Sequence, residues 1–196
     1  MKTIIWDVDD VLNDLMRVWF EDYSALSGTR YITYDRLTSN PPHELLGISR
    51  TEYLASLDKF RLSGMAEKMP PVADIYEWFC RYGESCHNVA LTAVPLCTSP
   101  VSAEWVMRNF GRWIRSFNVI PSPRPGIEAH QYHGAKSDFL GWWGKADILV
   151  DDSEENIAGA VSLGIRAVLF PRPWNRSVLT IKETLEIITQ MTLEVV

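Results

Sequence analysis

Two short apolar segments of this sequence each lead directly into closely spaced aspartates. The first reads Lys-Thr-Ile-Ile-Trp and is followed by Asp7 and Asp9, and the second reads Asp-Ile-Leu-Val and is followed by Asp151 and Asp152. Short apolar segments rich in β-branched residues predict buried strands. We therefore expect two buried strands that each present carboxylates at the C-terminal end.

The rest of the chain predicts helices that alternate with strands. Downstream of Pro70-Pro71 the pattern predicts further strands at 87–91, 118–120 and 166–170, and helices at about 72–82, 99–117, 136–143, between Ser153 and Gly164, and at about 180–191. Strands that alternate with helices form a mostly parallel sheet with helices on both faces. The predicted fold class is α/β, with a doubly wound, mostly parallel, Rossmann-like sheet.

The segment between the first strand and Pro70-Pro71 has a different pattern. Apolar residues recur at helical spacing over about 14–26 and 51–62, and Asn40-Pro41-Pro42 interrupts the chain between the two predicted helices. We predict a small helical cap inserted after the first strand, with residues 14–69 as the cap and residues 1–13 and 70–196 as the α/β core.

Charge and composition exclude several classes of partner. The net charge of −6 and the isoelectric point near 5.2 argue against a broad nucleic-acid-binding face. No segment approaches the roughly 18 apolar residues of a membrane span, and acidic residues appear too early for a signal peptide. Three cysteines without a C-x-x-C pair favour neither a disulfide framework nor a zinc site. We expect a cytoplasmic protein with no membrane or nucleic-acid polymer as partner.

Polar residues at the predicted strand ends define a candidate site. The two aspartate pairs and Thr92 each follow or end a predicted strand. Ligands of open parallel sheets bind beyond the carboxyl ends of the strands, so these residues converge if their strands are neighbours. Four carboxylates at one place repel one another unless a cation neutralises them, and an all-oxygen ligand set suits Mg²⁺. Lys136, which begins the helix leading into the second acidic strand, is the candidate for holding an anion beside the nucleophile.

In chain order, these residues match four known motifs. Asp7-x-Asp9-x-Val11, Thr92, Lys136 and Ile148-Leu149-Val150-Asp151-Asp152 resemble the motifs of the haloacid dehalogenase-like phosphatase superfamily, over about residues 2–170. The predicted insertion resembles that superfamily's helical cap. The small cap, the Pro-Pro-Val before a helix and the Val-Asp-Asp-Ser segment resemble the 5′(3′)-deoxyribonucleotidase branch. The resemblance implies a Mg²⁺-dependent phosphomonoester hydrolase that acts on a small phosphorylated metabolite, with nucleoside monophosphates as the first substrate class.

The resemblance also implies a role for each motif residue. Asp7 would attack phosphorus and carry a transient aspartyl phosphate, which divides one difficult displacement into two easier ones. Asp9 would protonate the leaving oxygen and then activate the hydrolytic water. The implied metal ligands are Asp7, the Asp9 carbonyl, Asp151 and, through water, Asp152, and the implied phosphate-binding residues are Thr92, Ala93 and Lys136.

The sequence departs from the superfamily pattern at a few positions. Asp10 stands where the superfamily often has Gly, and Thr92-Ala93-Val94-Pro95 lacks the hydroxyl-rich continuation common in nucleotidases. Lys145 is an alternative to Lys136, but it lies only six residues before Asp151, which leaves little room for a helix between them.

Several other side chains have two interpretations. Trp19 and Phe20, like Tyr53 and Phe60, either line a substrate pocket beneath the cap or pack the cap helices together. A His-x-x-His pair on a loop suggests a metal, but no third ligand accompanies it. His130 and His133 are therefore expected to be surface histidines. Arg172 and Arg176, beyond the last strand, could reach an anion, but we expect them to lie in solvent.

Other functional classes compete with the phosphatase interpretation. A phosphorylation-controlled receiver domain also uses an acidic pair, a Thr and a Lys, but its Lys comes last beside a Pro, whereas Lys136 precedes the second acidic pair. A dehalogenase of the same superfamily would not need Asp9 as acid and base. A phosphatase for another small phosphometabolite and a catalytically idle binding or scaffold protein are the remaining alternatives, and the complete acidic set argues against the idle protein.

Overall fold

The computed structural model describes residues 1–29, 31–126 and 130–194 and places five strands in one sheet. The strands are β1 (Thr3–Trp6), β2 (His87–Val94), β3 (Ile114–Pro121), β4 (Ile148–Asp151) and β5 (Arg166–Leu169). Their order is β3-β2-β1-β4-β5, and each pair of neighbours is parallel. This architecture confirms the predicted α/β class.

Helices cover both faces of the sheet. The α-helices are α1 (Leu15–Ser27), α2 (Arg50–Arg61), α3 (Gly64–Glu67), α4 (Ala73–Tyr82), α5 (Ser99–Phe110), α6 (Lys136–Trp143), α7 (Glu154–Ser162) and α8 (Ile181–Leu193). Successive strand residues point to opposite faces; Ile4 packs with α4, α5 and α8, whereas Ile5 packs with α6 and α7. None of the helices described here is long and apolar enough to cross a membrane.

Residues 14–69, which we call the cap, build a third hydrophobic cluster from α1, α2, α3 and the connecting loops. Its longest connection leads into α2, whose start is fixed by a capping box. The Ser49 hydroxyl accepts a hydrogen bond from the Glu52 amide at 3.2 Å, and the Glu52 carboxylate accepts one from the Ser49 amide at 2.8 Å. This capping sets the first residue of α2, and the helix then carries Arg61 at its last position.

The region between α5 and β3 differs from the prediction. A helix over 99–117 and a short strand over 118–120 were expected, but α5 ends at Phe110 and β3 occupies Ile114–Pro121. The helix prediction was too long because β3 is an edge strand, half-exposed and mixed in polarity, so its sequence lacks the continuous apolar signal of the central strands.

The strand order places a crevice beside β1. The chain adds β2 and β3 on one side of β1 and then β4 and β5 on the other, so its direction reverses between β1 and β4. Trp6 pairs with Val150 of β4 and with Ala90 of β2. Ligands of doubly wound sheets bind at the carboxyl ends of strands at such a reversal.

Candidate active site

The aspartates that end β1 and β4 converge at this crevice. The Asp7 amide donates to the Val150 carbonyl at 2.9 Å, which joins the two strand ends directly. Carboxylate oxygens of Asp7, Asp151 and Asp152 all lie within 4.8 Å of one another, and all three residues are buried. The structure therefore brings together three of the four predicted carboxylates.

Lys136 lies at the centre of this cluster. It is the first residue of α6, and its Nζ lies 2.7 Å from both Asp7 Oδ1 and Asp151 Oδ2. Burial alone would lower the pKa of Lys136, but the Asp151 and Asp7 carboxylates outweigh burial and raise it. The alternative, Lys145, lies exposed on the surface. Lys136 is thus the lysine that contacts the aspartates.

Helix α7 fixes the Asp151 carboxylate from the other side. The Ser153 amide donates to Asp151 Oδ1 at 2.9 Å, and the Asn156 side-chain amide donates to both carboxylate oxygens at 3.0 and 3.1 Å. Asp152 Oδ2 accepts a hydrogen bond from the Trp174 indole at 2.7 Å. Sequence reasoning missed Asn156, although its place one turn into a helix that starts after the acidic pair was a usable signal.

The cluster carries more negative charge than its lysine neutralises. Burial raises the pKa of Asp7 well above its usual value, although Lys136 opposes the shift. Burial, together with the Asp151 carboxylate, raises the pKa of Asp152 to about 7. Buried carboxylates whose ligand atoms approach this closely suit a hard divalent cation such as Mg²⁺. The residues present therefore fit the metal that the sequence predicts.

This electrostatic arrangement predicts a pH-dependent stabilisation by Mg²⁺. Because the folded-state pKa values of Asp7 and Asp152 are raised, the stability that these groups contribute is present at low pH and is lost as pH rises through about 7 for Asp152. Mg²⁺ binds the ionised carboxylates, so millimolar Mg²⁺ should raise the melting temperature by about 4 °C or more near pH 8. The gain near pH 5.5 should be less than half as large by calorimetry. A gain that is equal at both pH values, or one that survives in Asp152→Asn, would contradict this expectation.

A tight turn over Val8–Leu12 follows β1 and depends on a left-handed residue. Asp10 has φ +63° and ψ +12°, in the region that favours glycine and that Asp and Asn also tolerate. Its carboxylate accepts a hydrogen bond from the Met16 amide at 2.9 Å. The turn after β1 therefore requires a residue that tolerates the left-handed conformation, as Asp does.

Arg172 braces the same turn, which corrects the expectation that it lies in solvent. Its side chain is 4% exposed. Its Nε donates to the Asp10 carbonyl at 2.5 Å, its Nη1 pairs with Asp14 at 2.6 Å, and its Nη2 donates to the Asn13 carbonyl at 3.2 Å. Arg176, by contrast, is exposed as expected. The loop after β5 turns back toward β1, a path that local sequence did not reveal.

Asp10→Asn should stabilise the protein at neutral and alkaline pH. Burial raises the pKa of Asp10 to about 7, against the lowering effect of Arg172. The stability contribution of this group is therefore complete below about pH 4 and is lost as pH rises through about 7. Asn keeps the φ preference and the oxygen that Met16 contacts, so we expect a gain of about 2 kcal/mol near pH 8 and little change near pH 4. Denaturant unfolding in chelator measures this gain, and a variant that is less stable near pH 8 would contradict it.

Asp9 is not a member of the cluster of Asp7, Asp151 and Asp152, and its carboxylate pairs with the cap. Its Oδ2 lies 2.9 Å from Arg61 Nη2, and its Oδ1 accepts a hydrogen bond from the Asn13 side chain at 3.3 Å. Asp58, one turn before Arg61, pairs with Arg124 of the core at 2.5 and 3.0 Å. These ion pairs join α2 to Asp9 and to Arg124 of the core. Sequence reasoning missed Asp58, Arg61 and Arg124.

The cap and the strand ends enclose a cleft of about 210 Å³. Its floor contains six predicted site residues, Asp7, Asp9, Thr92, Ala93, Lys136 and Asp152, and two additions, Asp10 and Asn156. The cap and the β3 loop supply most of the opposite wall: Leu15, Met16, Arg50, Tyr53, Leu54, Leu57, Arg61, Ser122 and Arg124. Asp151 lies beneath the floor, with no exposed surface.

Trp19 and Phe20 do not line the substrate cleft, in contrast to the predicted aromatic pocket. Trp19 and Phe20 lie in the hydrophobic cluster inside the cap, and neither is among the described residues that line the cleft. Trp19 stacks on Tyr23 at 5.2 Å and meets Tyr53 edge-on at 5.1 Å. The cleft-facing side of α1 instead carries Met16, about one turn earlier. Of the aromatic candidates, Tyr53 reaches the cleft.

Comparisons with known proteins identify the fold. Three solved structures share it: a protein assigned as a β-phosphoglucomutase from Thermotoga maritima (15% identity, TM-score 0.63, 97% of this chain and 99% of that chain), a haloacid dehalogenase-like family hydrolase from Streptococcus pneumoniae (14%, 0.63, 97% and 98%), and a protein assigned as a HAD hydrolase from Bacillus subtilis, bound to magnesium (11%, 0.58, 98% and 99%). No protein-family model and no curated protein matches the sequence. The chain therefore has the fold of the haloacid dehalogenase-like hydrolases.

Proposed function

We propose that this protein is a Mg²⁺-dependent phosphomonoester hydrolase that acts through an aspartyl phosphate on Asp7. The observation that carries the proposal is the contact of Lys136 with Asp7 and Asp151 at the carboxyl ends of β1 and β4. A carboxylate nucleophile, a cation beside it and a cleft above it are the parts that phosphoryl transfer to a side chain requires.

Each floor residue has a defined task in this reaction. An Asp7 oxygen attacks phosphorus, the bond from phosphorus to the leaving oxygen breaks, and water then hydrolyses the aspartyl phosphate to release inorganic phosphate. Lys136 contacts the attacking carboxylate and lowers its pKa, which opposes the larger raising effect of burial. Thr92 and Ala93, at the end of β2, lie where they would contact the phosphoryl oxygens.

Asp9 is the proposed acid and base. It lies two residues after Asp7 and lines the same cleft, so its carboxyl group would protonate the leaving oxygen and later take a proton from the hydrolytic water. The Asn13 side chain and Arg61 orient that carboxylate. A role for the Asp9 carbonyl in metal binding remains part of the proposal.

Asp7, Asp151 and Asp152 would hold the metal. When bound, Mg²⁺ neutralises charge on the phosphoryl oxygens and orients them for attack. Asn156 and Ser153 donate hydrogen bonds to the Asp151 carboxylate, and Trp174 donates one to the Asp152 carboxylate. These bonds would orient the carboxylate oxygens for metal binding.

The substrate of this proposal is a small phosphomonoester. Nucleoside monophosphates enter as the first substrate class from the sequence resemblance, and Tyr53 is the one predicted aromatic residue at the cleft. The interior positions of Trp19 and Phe20 remove the stacking surface on which a nucleotide preference would rest. A volume of about 210 Å³ also favours compact metabolites.

The test is phosphate release from a panel of phosphomonoesters, measured with Mg²⁺ and with chelator. The panel contains ribo- and deoxyribonucleoside 5′- and 3′-monophosphates together with small sugar and carboxylic-acid phosphates. We expect turnover that requires Mg²⁺ on at least one member. Folded protein that releases no phosphate from any member, or that releases it equally in chelator, would contradict the proposal.

A further inference from the structure

The cleft wall above the aspartate floor is rich in arginine. Arg50 and Arg61 are the first and last residues of α2, and Arg124 follows β3 on the core. We call these three residues the arginine wall. Asp58 pairs with two of them, Arg61 and Arg124, and offsets one positive charge. The arginine wall therefore presents net positive charge to a ligand bound in the cleft.

Arg124 already uses its donors within the protein. Its Nε and Nη2 donate to the two Asp58 oxygens at 2.5 and 3.0 Å, and its Nη1 donates to the Ser122 hydroxyl at 2.9 Å. A bidentate pair of this kind is both strong and rigid. Arg124 therefore fixes Asp58 and, through it, the end of α2.

Arg61 and Arg50 retain unused donors. Arg61 Nη2 contacts Asp9 and Nη1 contacts Asp58, but Nε is a buried donor with no acceptor among the described residues, in a side chain that is 10% exposed. A buried donor without a partner is unfavourable, so a ligand oxygen that satisfies it gains affinity. Arg50 is exposed at the cleft, and no described carboxylate lies within ion-pair distance of it.

The proposed reaction places part of the substrate against these donors. With the phosphoryl group at Asp7 and Lys136, the leaving oxygen lies at Asp9, and Arg61 contacts Asp9 at 2.9 Å. Asp9, Arg61 and Arg50 line the same cleft, so the atoms joined to the leaving oxygen occupy the space that these side chains border. We propose that the leaving group carries a second anionic group, a carboxylate or another phosphate, which Arg61 binds directly and which the exposed Arg50 attracts from the other end of α2. This proposal rests on the proposed function for the orientation of the substrate.

The test uses matched probes that bind without being hydrolysed. Affinities of 3-phosphonopropionate, ethane-1,2-bisphosphonate and propylphosphonate for the Mg²⁺-loaded protein are measured by calorimetry. The first two carry a carboxylate or a second phosphonate where the third ends in a methyl group. We expect the better of the two anionic probes to bind at least about tenfold more tightly than propylphosphonate, and its identity distinguishes a carboxylate from a phosphate.

Variants connect this preference to the arginine wall. Arg61→Gln should reduce the preference to about threefold or less, and Arg50→Gln, at an exposed position that does not threaten folding, should reduce it by a smaller factor. Arg112→Gln, which removes an exposed arginine paired with Glu84, is the matched control and should leave the preference unchanged. Equal affinity for the three probes, failure of the probes to bind, or a preference that survives in both wall variants would overturn the inference.

These outcomes are separate from those of the proposed function. Phosphate release without any preference for an anionic leaving group would overturn the inference and leave the hydrolase proposal intact. Tight binding of an anionic probe by a protein that hydrolyses no phosphomonoester would support the anion site and contradict the hydrolase.

Discussion

Asp7→Asn should reduce phosphate release by about a thousandfold or more. The amide is not a nucleophile toward phosphorus, and no other described carboxylate has the same contacts with Lys136 and the Val8 amide. The substitution also removes a buried negative charge, so we expect the variant to fold and to be at least as stable as the wild type in chelator. Activity on the best substrate of the panel and denaturant unfolding measure the two effects.

The matched control for this variant is Asp74→Asn. Asp74 lies in the first turn of α4 and faces a groove between α4 and α8, away from the aspartate cluster. Its replacement should change phosphate release by less than about twofold. Comparable activity in Asp7→Asn and Asp74→Asn would exclude Asp7 as the nucleophile.

Lys136→Met should destabilise the protein by about 3 kcal/mol or more in chelator. The substitution keeps an unbranched side chain but leaves the buried Asp7 and Asp151 carboxylates without the ammonium group that lies 2.7 Å from each. The loss should be smaller at pH 5 than at pH 8, because carboxylates without a partner bind protons more readily. Denaturant unfolding at the two pH values measures it.

Lys145→Met provides the comparison, because Lys145 lies on the surface. We expect a change of at most about 0.5 kcal/mol. An equal effect of the two substitutions, or a loss in Lys136→Met that is larger at pH 5, would show that Lys136 does not neutralise the cluster.

The aspartate floor was predictable because its signals are local. An apolar strand that runs into aspartates requires only a few consecutive residues, and the parallel sheet then brings the ends of β1 and β4 together. Lys136 was predictable for a similar reason, since it begins the helix before β4. The parallel sheet follows from the same alternation of helices and strands, but its strand order does not, and the edge strand β3 lacked a strong apolar pattern.

The arginine wall was not predictable, because its contacts depend on how the cap sits on the core. Arg61 reaches Asp9 across 52 positions, and Asp58 reaches Arg124 across 66. Neither pair has a sequence spacing that indicates contact, and both partners resemble ordinary charged surface residues. Arg172 is a similar case, since it contacts the Asp10 turn 162 positions away.

The most direct measurement is the detection of the phosphorylated residue during turnover. The protein with Mg²⁺ is mixed with the best substrate of the panel and quenched in acid, and its peptides are analysed by mass spectrometry. The account predicts one phosphoryl group on the peptide that contains Asp7, which is absent in Asp7→Asn and absent in chelator. Phosphate release without a phosphorylated peptide, or with the phosphoryl group on another residue, would contradict it.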